Sequence, residues 1–210
     1  MVKPNHSTNL KYEKELVQLG LNYVAGIDEV GRGTLAGPVT AGLVIFPPDL
    51  QHQSVAEVTD SKKLSPIRRE RLDIKIRNLA LVSEIGWSTA AEVDEIGISE
   101  ATKLAMMRAI GKSIIKPDHL LIDAVKLDGA NIAFTPIVKG DQISTSIAAA
   151  SIIAKVARDT FMRELDGGYP RYGFWSNKGY GTKAHLQAIR DFGPINQHRM
   201  TFAPLKTLFV

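Results

Sequence analysis

Short runs of apolar residues alternate along the chain with longer stretches in which apolar residues recur every three or four positions. The short runs predict five strands, at residues 24–28, 39–46, 81–87, 119–123 and 132–138. The longer stretches predict helices at residues 10–19, 67–79, 100–115, 144–165 and 183–192. Only a glycine-rich turn separates the first two strands, so we expect them to be neighbours in one sheet.

Capping residues and a change of composition set several of these boundaries. Ser65, followed by proline, suits a helix start, and Thr89 and Ser99 are each expected to cap a helix further on. Residues 147–154 are apolar almost all round, which predicts a helix buried in the middle of the domain. Residues 167–182 are rich in glycine, proline and aromatic residues, and predict a long irregular functional loop before a last helix.

The length of 210 residues and the hydrophobic content of 44% suit one folded domain, and no repeat or linker divides the chain. We expect a single domain over residues 1–210, with an N-terminal helix within about residues 1–20. A C-terminal loop and helix, about residues 167–210, are expected to contribute to substrate binding. The chain has no cysteine, no signal-peptide pattern and no apolar run of about 20 residues. These absences predict a cytoplasmic protein that does not contact a membrane.

The net charge of +4 is modest, and solubility explains it as well as a polyanionic partner does. Its distribution is more informative, because basic residues crowd residues 62–77 and recur at residues 178–199. Such a surface can contact phosphates, which makes nucleic acid an expected partner.

Four carboxylates follow apolar segments at the points where strands or turns end, namely Asp28, Glu29, Asp123 and Asp141. Each of them alone is most often a solvated turn residue or a helix cap. Strand ends in one sheet can converge, and carboxylate oxygens without cysteine or a close histidine pair favour Mg²⁺ or Mn²⁺. Two such ions can hold a phosphate for in-line displacement, so phosphoryl chemistry is expected.

The turn after the first strand also fits another class of protein. Gly31, Gly33 and Ala36 match the G-x-G-x-x-A pattern of dinucleotide-binding oxidoreductases that use a nicotinamide cofactor. That pattern requires a helix to begin in the turn, so that its amides can receive the pyrophosphate. A strand is predicted at residues 39–46 instead, and acidic residues in the turn would repel a pyrophosphate, so this alternative is not favoured.

Several motifs occur in order between about residues 23 and 202. They are Asp28-Glu29-x-Gly31-Arg32-Gly33 with Leu35-Ala36-Gly37-Pro38, Asp60-Ser61-Lys62-Lys63-Leu64, Leu121-Ile122-Asp123, Lys139-Gly140-Asp141 with the helical residues 146–159, and Asn177-Lys178-Gly179-Tyr180-Gly181-Thr182. Together they resemble the ribonuclease HII family, the bacterial type 2 ribonucleases H. Ordered motifs of this kind are far more specific than any one of them.

The resemblance implies an α/β, ribonuclease H-like fold with a mixed central sheet flanked by helices and a small helical C-terminal region. It implies a metal-dependent endonuclease, with two Mg²⁺ or Mn²⁺ ions, that cleaves the RNA strand of RNA/DNA hybrids. It also implies incision of duplex DNA 5′ of a single embedded ribonucleotide. The family's catalytic, metal-binding acids fall on Asp28, Glu29, Asp123 and Asp141.

The same resemblance places the substrate contacts. Gly31, Arg32 and Gly33 match the family's sensor for the ribose 2′-hydroxyl, a group that only RNA offers. Tyr180 matches the tyrosine that packs on the sugar at the RNA-to-DNA junction, although without the resemblance it would be a loop aromatic packed on the core. Ser61 and Lys62 suit phosphate contacts that read no sequence.

Other polar residues keep simpler interpretations. Ser151, Lys155 and Asp159 lie four apart on one helix face, which predicts a Lys155–Asp159 ion pair as readily as a role in the site. His185 and His198 show no partner in the sequence.

A catalytically silent hybrid-binding protein on the same fold is the alternative function, although four clustered carboxylates would have little use in a pure binder of a polyanion. The related ribonuclease HIII has an extra N-terminal domain and a lysine in the glycine turn, where this chain has Arg32. We expect a monomer. A contact between residues 205–210 and a sliding clamp, as in archaeal relatives, has no support in the sequence.

Overall fold

The structure, a computed structural model, describes residues 8–208 and is built around one five-stranded sheet. Its strands are β1 (Val24–Val30), β2 (Val39–Ile45), β3 (Val82–Ser88), β4 (His119–Asp123) and β5 (Ala133–Ile137). They lie in the order β3-β2-β1-β4-β5. The pairs β1/β2 and β2/β3 are antiparallel, whereas β1/β4 and β4/β5 are parallel. The five predicted strands and the mixed sheet are confirmed.

Helices cover both faces of this sheet. In the described residues they are α1 (Lys11–Gln18), α2 (His52–Val55), α3 (Pro66–Leu79), α4 (Ala90–Lys112), α5 (Thr145–Gly168), α6 (Phe174–Asn177), α7 (Lys183–Phe192) and α8 (Leu205–Leu208), with 3₁₀ turns at Ser61–Lys63, Gly140–Gln142 and Pro170–Tyr172. The predicted cap Ser65 accepts a hydrogen bond from the amide of Arg68. Ser144 caps α5 in the same way, and both caps fix helices that flank the site described below.

The two helices expected after Thr89 and Ser99 are both present within α4, and Thr89 caps the first. They meet at Gly97, whose φ of 79° suits glycine, so the second begins before the expected Ser99 cap. Two further predictions about helices are wrong. Segment 167–182 is not an irregular loop, because a 3₁₀ turn and α6 lie in it. The helix α7 is not the last, since α8 follows it. Burial of Tyr172 and Phe174 under α7 explains the ordered segment, since their rings stack at 5.5 Å.

Residues 1–7 and 209–210 lie outside the described residues. The prediction that there is no signal peptide concerns residues 1–7. The segment considered for a clamp contact, residues 205–210, is described only as far as residue 208. Across residues 8–208, no helix has the length and apolar character that crossing a membrane requires.

The helix α5 crosses the middle of the sheet, as its apolar sequence predicts, and its close approach depends on glycine. A Cβ atom on Gly26 of β1 would overlap the backbone of Ser146, and one on Gly42 of β2 would overlap the carbonyl oxygen of Ala150. On the other face, Gly86 of β3 allows the same approach by α4. Any larger residue at these points would separate the layers.

We expect Gly26→Ala to lower the free energy of unfolding by about 3 kcal/mol, because its methyl group would push α5 away from β1. Urea unfolding followed by circular dichroism measures the change. Gly111→Ala is the matched control, since Gly111 lies in α4 with no atom within 4 Å of the added carbon. Alanine there should stabilise the helix by about 0.5–1 kcal/mol. Equal midpoints for the two variants would contradict the contact.

Candidate active site

The sheet topology brings the four predicted acids to one end of the central strands. Asp28 and Glu29 lie inside β1, which extends two residues beyond its predicted end. The parallel register of β1 and β4 places Asp28 beside Asp123, the last residue of β4. Asp141 lies in the 3₁₀ turn Gly140–Gln142, which follows β5. The amide of Gly140 in that turn donates to Asp123 Oδ1 at 2.9 Å.

Burial and mutual repulsion make three of these carboxylates hard to ionise. Burial, with the charge of Glu29, holds the pKa of Asp28 well above its usual value, although Ser151 donates a hydrogen bond to Asp28. Burial also raises the pKa of Glu29 and the pKa of Asp123. Negative charge confined in a small, poorly solvated volume requires cations close by.

Two basic side chains supply positive charge to the acid cluster, which comprises Asp28, Glu29, Asp123 and Asp141. Arg32 Nη1 donates to Glu29 Oε1 at 3.1 Å, and Lys62 Nζ donates to Asp141 Oδ2 at 3.3 Å. Burial lowers the pKa of Lys62, but the charge and hydrogen bond of Asp141 outweigh it, so this pKa lies above its usual value. In this arrangement, no three acidic or histidine side chains within residues 8–208 converge enough to enclose a metal ion.

The chemistry of the acid cluster nevertheless suits a hard divalent cation. Glu29 Oε2 is buried and has no hydrogen-bond partner in the described part of the chain. The acids offer carboxylate oxygens alone, which are the ligands that Mg²⁺ and Mn²⁺ prefer. A bound cation would satisfy the unpaired oxygen and offset the repulsion that raises the pKa of Asp28. The residues present therefore fit a divalent metal.

The Gly31-Arg32-Gly33 turn lies directly beside the acid cluster. It leads from β1 into β2 without an intervening helix, so the dinucleotide-binding geometry is excluded. Gly31 has a φ of 88°, and a Cβ atom there would overlap the side chain of Arg158. The amides of Arg32 and Gly33 donate to no protein atom among residues 8–208, which leaves them free for a ligand.

Arg158, on α5, is buried beneath this turn and was not recognised in the sequence as a structural residue. Its guanidinium donates at 2.9–3.0 Å to the carbonyls of Ala36, Pro38 and Lys178 and to the hydroxyl of Thr34. Burial lowers the pKa of Arg158 to about 10, so the group is charged at neutral pH. Its helical spacing from the buried Ala154 and Ser151 could have revealed it, because the three share one face.

Arg199 is a second buried arginine, located after α7. It donates to the carbonyls of Arg32 and Gly37 at 2.8–3.1 Å. Burial, with the charge of Arg158, lowers the pKa of Arg199 to about 9. The two arginines take up carbonyl oxygens of the turn, so the groups that it presents outward are amides and the side chain of Arg32.

A pair of histidines, whose partners the sequence did not show, holds the backbone of Tyr180. The Nε2 atoms of His185 and His198 lie 3.1 Å apart. The amide of Ile195 donates to His198 Nδ1, so His198 carries its proton on Nε2 and donates to His185 Nε2. His185 Nδ1 then donates to the carbonyl of Tyr180 at 2.9 Å. Burial, with the charge of His185, lowers the pKa of His198 to about 4, so this residue is neutral at pH 7.

The predicted substrate-binding residues surround one cleft of about 230 Å³, called here the catalytic cleft. Its lining includes Glu29, the Gly31-Arg32-Gly33 turn, Ser61, Lys62, Lys155, Arg158 and Tyr180. Ser61 Oγ lies 3.0 Å from the hydroxyl of Ser151, which in turn contacts Asp28. The predicted Lys155–Asp159 ion pair is confirmed at 2.7 Å. Seven of the ten predicted site residues line this cleft, and Asp28, Asp123 and Asp141 lie outside its lining. Asp141 is joined to it through the ion pair with Lys62.

Comparison with known sequences identifies the family. The family model described as Ribonuclease HII matches residues 25–205. A ribonuclease HII of Geobacillus sp. (strain WCH70) is 51% identical over 198 residues, which cover 94% of this chain and 70% of that protein.

Solved structures show the same fold. The ribonuclease H2 from Pyrococcus horikoshii OT3 superposes with a TM-score of 0.75 at 25% identity, covering 88% of this chain and 95% of that one. Bst-RNase HIII, solved in complex with Mn²⁺, has a TM-score of 0.70 at 22% identity, covering 92% of this chain and 70% of that one. With the family match over most of its length and a half-identical relative, the chain belongs to the ribonuclease HII family of ribonucleases H.

Proposed function

We propose that this chain is a divalent-metal-dependent endonuclease that cleaves the RNA strand of RNA/DNA hybrids. We further propose that it incises duplex DNA 5′ of a single embedded ribonucleotide, leaving 3′-hydroxyl and 5′-phosphate ends. One observation carries this proposal. A cluster of four carboxylates, two buried and two half-buried, with an unpaired Glu29 oxygen, lies beside a turn with free amides.

In this proposal Asp28, Glu29, Asp123 and Asp141 hold the metal. Bound Mg²⁺ or Mn²⁺ would supply Lewis acidity and stabilise charge on the attacking and leaving oxygens. Arg32 contacts only Oε1 of Glu29, so the unpaired Oε2 is available to the metal while Arg32 stays in place. Lys62, which pairs with Asp141, lines the catalytic cleft together with Arg32, and both can contact substrate phosphates there.

Recognition of RNA is assigned to the Gly31-Arg32-Gly33 turn and to Tyr180. A 2′-hydroxyl can accept from the free amides of Arg32 and Gly33, whereas a deoxyribose offers no such acceptor. Tyr180 is 48% exposed, and its ring is available to pack on a sugar. The histidine pair and Arg158 hold the backbone on both sides of that ring, so its position is preorganised before substrate binds.

Ser61 and Lys62 are proposed to contact a phosphate near the cleaved bond. Ser61 is buried and fixed by Ser151, whereas the side chain of Lys62 is 79% exposed, which suits a residue that moves between a carboxylate and a ligand. We also propose that the protein acts as a monomer. The lack of cysteine supports a reducing location such as the cytoplasm.

A silent hybrid-binding protein is not favoured. Buried, mutually repelling carboxylates lower the stability of the fold and repel a polyanion, and only metal chemistry offsets both costs.

We expect Asp141→Asn to lower kcat at least about a hundredfold, because it removes a metal-binding charge while keeping the shape of the side chain. The assay follows cleavage of a labelled duplex with one ribonucleotide, in Mg²⁺, Mn²⁺ or chelator. Asp49→Asn, which removes one exposed charge after β2, is the matched control and should keep full activity. Near-normal cleavage by the Asp141 variant would exclude the metal assignment.

We expect Asp28→Asn to raise the thermal midpoint in chelator by about 2–4 °C, or roughly 1 kcal/mol. Because burial raises the pKa of Asp28 in the folded state, its negative charge lowers stability at neutral pH, and the neutral amide avoids that cost. Millimolar Mn²⁺ should stabilise the wild type and have little effect on the variant. If Mn²⁺ shifts both proteins equally, Asp28 is not a ligand.

We expect Tyr180→Ala to slow cleavage at a single ribonucleotide about tenfold or more, with a smaller loss on long hybrids. The reason is that the ring contacts the sugar at the RNA-to-DNA junction. Tyr180→Phe keeps the ring and should retain most of the activity at single ribonucleotides. The ratio of kcat/KM on the two substrates is the measurement, and equal losses on both would assign Tyr180 a structural role only.

A further inference from the structure

A second, larger cavity lies next to the catalytic cleft and has no role in the function proposed so far. Its volume is about 440 Å³, and we call it the tryptophan pocket after Trp175 in its wall. Lys155 lines both the tryptophan pocket and the catalytic cleft, so the two are adjoining parts of one surface.

The charge of this pocket is positive although most of its ions are paired. Its wall contains four cations and two carboxylates, which leaves a net charge of +2. Arg163 pairs with Glu70 at 2.9 Å, and Lys155 pairs with Asp159 at 2.7 Å. Lys178 forms no ion pair with any residue in the range 8–208, so its charge is available to an anion.

Trp175 presents an aromatic surface beside two of these cations, Arg163 and Lys178. A single exposed apolar side chain carries little information, but Trp175 is 61% exposed with Lys178 Nζ 5.2 Å and Arg163 Cζ 5.8 Å from its ring. The backbone of Trp175 is fixed, since its amide donates to Asp166 Oδ1 at 3.0 Å and its carbonyl accepts from Lys178 Nζ. An exposed ring with two cations beside it is typical of surfaces that track a nucleic-acid strand.

The path of the chain connects this ring to the proposed sugar contact. Only Gly179 separates Lys178 from Tyr180, which lines the catalytic cleft. The carbonyl of Lys178 accepts from Arg158 Nη1 at 2.9 Å. One segment of the chain therefore carries residues of both sites. Its Tyr180 lines the catalytic cleft, and its Trp175 and Lys178 line the tryptophan pocket. A strand that lies against Tyr180 and continues in that direction passes over the pocket.

We propose that the tryptophan pocket binds the sugar–phosphate backbone of the substrate duplex beyond the cleaved bond. In this arrangement Trp175 packs against a sugar while Lys178 and Arg163 lie beside phosphates. The inference rests on the proposed function, because it requires a nucleic-acid duplex in the catalytic cleft. An acidic protein segment is the other polyanion that such a wall could receive, but continuity with the cleft favours the substrate.

The test measures binding and cleavage of a labelled duplex with one ribonucleotide. Binding is followed by fluorescence anisotropy in chelator, so that no cleavage occurs. We expect Trp175→Ala to weaken binding and raise KM about tenfold while kcat is unchanged, and Trp175→Phe to keep most of the affinity. Because the indole is exposed, both variants should unfold at the wild-type temperature.

Lys178→Gln tests the phosphate contact and keeps a donor for the carbonyl of Trp175. It should reduce the slope of log affinity against log salt by about 0.9, the value for one phosphate contact on duplex DNA. Lys116→Ala is the matched control, since Lys116 is exposed near the opposite end of β4 from Asp123. It removes the same charge and should leave the slope unchanged.

Shortening the duplex from one end at a time locates the contact. The effect of Trp175→Ala should disappear when the duplex is shortened on one side of the ribonucleotide and persist when it is shortened on the other. If the wild type cleaves the duplex but Trp175→Ala binds it as tightly, this inference is wrong and the proposed function stands. If the wild type binds no duplex, both are wrong.

Discussion

The site depends on two buried arginines that have carbonyl oxygens as their main partners. Arg158 and Arg199 form no ion pair with any residue in 8–208, and burial of an unpaired charge is costly unless it is well hydrogen-bonded. Between them they donate to several carbonyls of the turn and of the Tyr180 segment, namely those of Arg32, Ala36, Gly37, Pro38 and Lys178. The glycine turn, the Tyr180 segment and α5 are thereby joined through two side chains. Their charges, close behind the turn, also produce a positive potential where a phosphate would approach.

Two neighbouring cations partly offset the negative charge of the acid cluster. Asp28 is hard to ionise because it is buried beside other carboxylates, and Lys62 and Arg32 partly compensate the charge of its neighbours. Each of these cations has an exposed side chain, so it can be released at little cost in packing. The two cations therefore lie where they can contact either a carboxylate of the acid cluster or an approaching phosphate, without a large movement of the sheet or of α5.

The sequence predicted the sheet and the acid cluster because local patterns determine both. Apolar runs mark the strands, and a carboxylate directly after such a run marks a strand end. The sequence failed where the decisive contact joins distant segments: nothing local indicates that His185 and His198 meet, or that Arg158 reaches carbonyls of a turn 120 residues away. Segment 167–182 was misjudged for the same reason, since its glycine and proline residues suggest a loop, whereas stacking of Tyr172 on Phe174 orders it.

The close contact of α5 with β1 and β2 also governs how the chain can fold during its synthesis. The end of β2 at Ile45 and the start of α5 at Thr145 are about a hundred residues apart. A ribosome that adds about 5–20 residues per second makes β1 and β2 roughly 5–20 s before their central helix. Throughout that interval the glycine-lined, apolar face of the first two strands is uncovered and can associate with other apolar surfaces. Contacts between segments so far apart in the chain carry a large loop-closure entropy, which slows folding relative to the formation of a single helix.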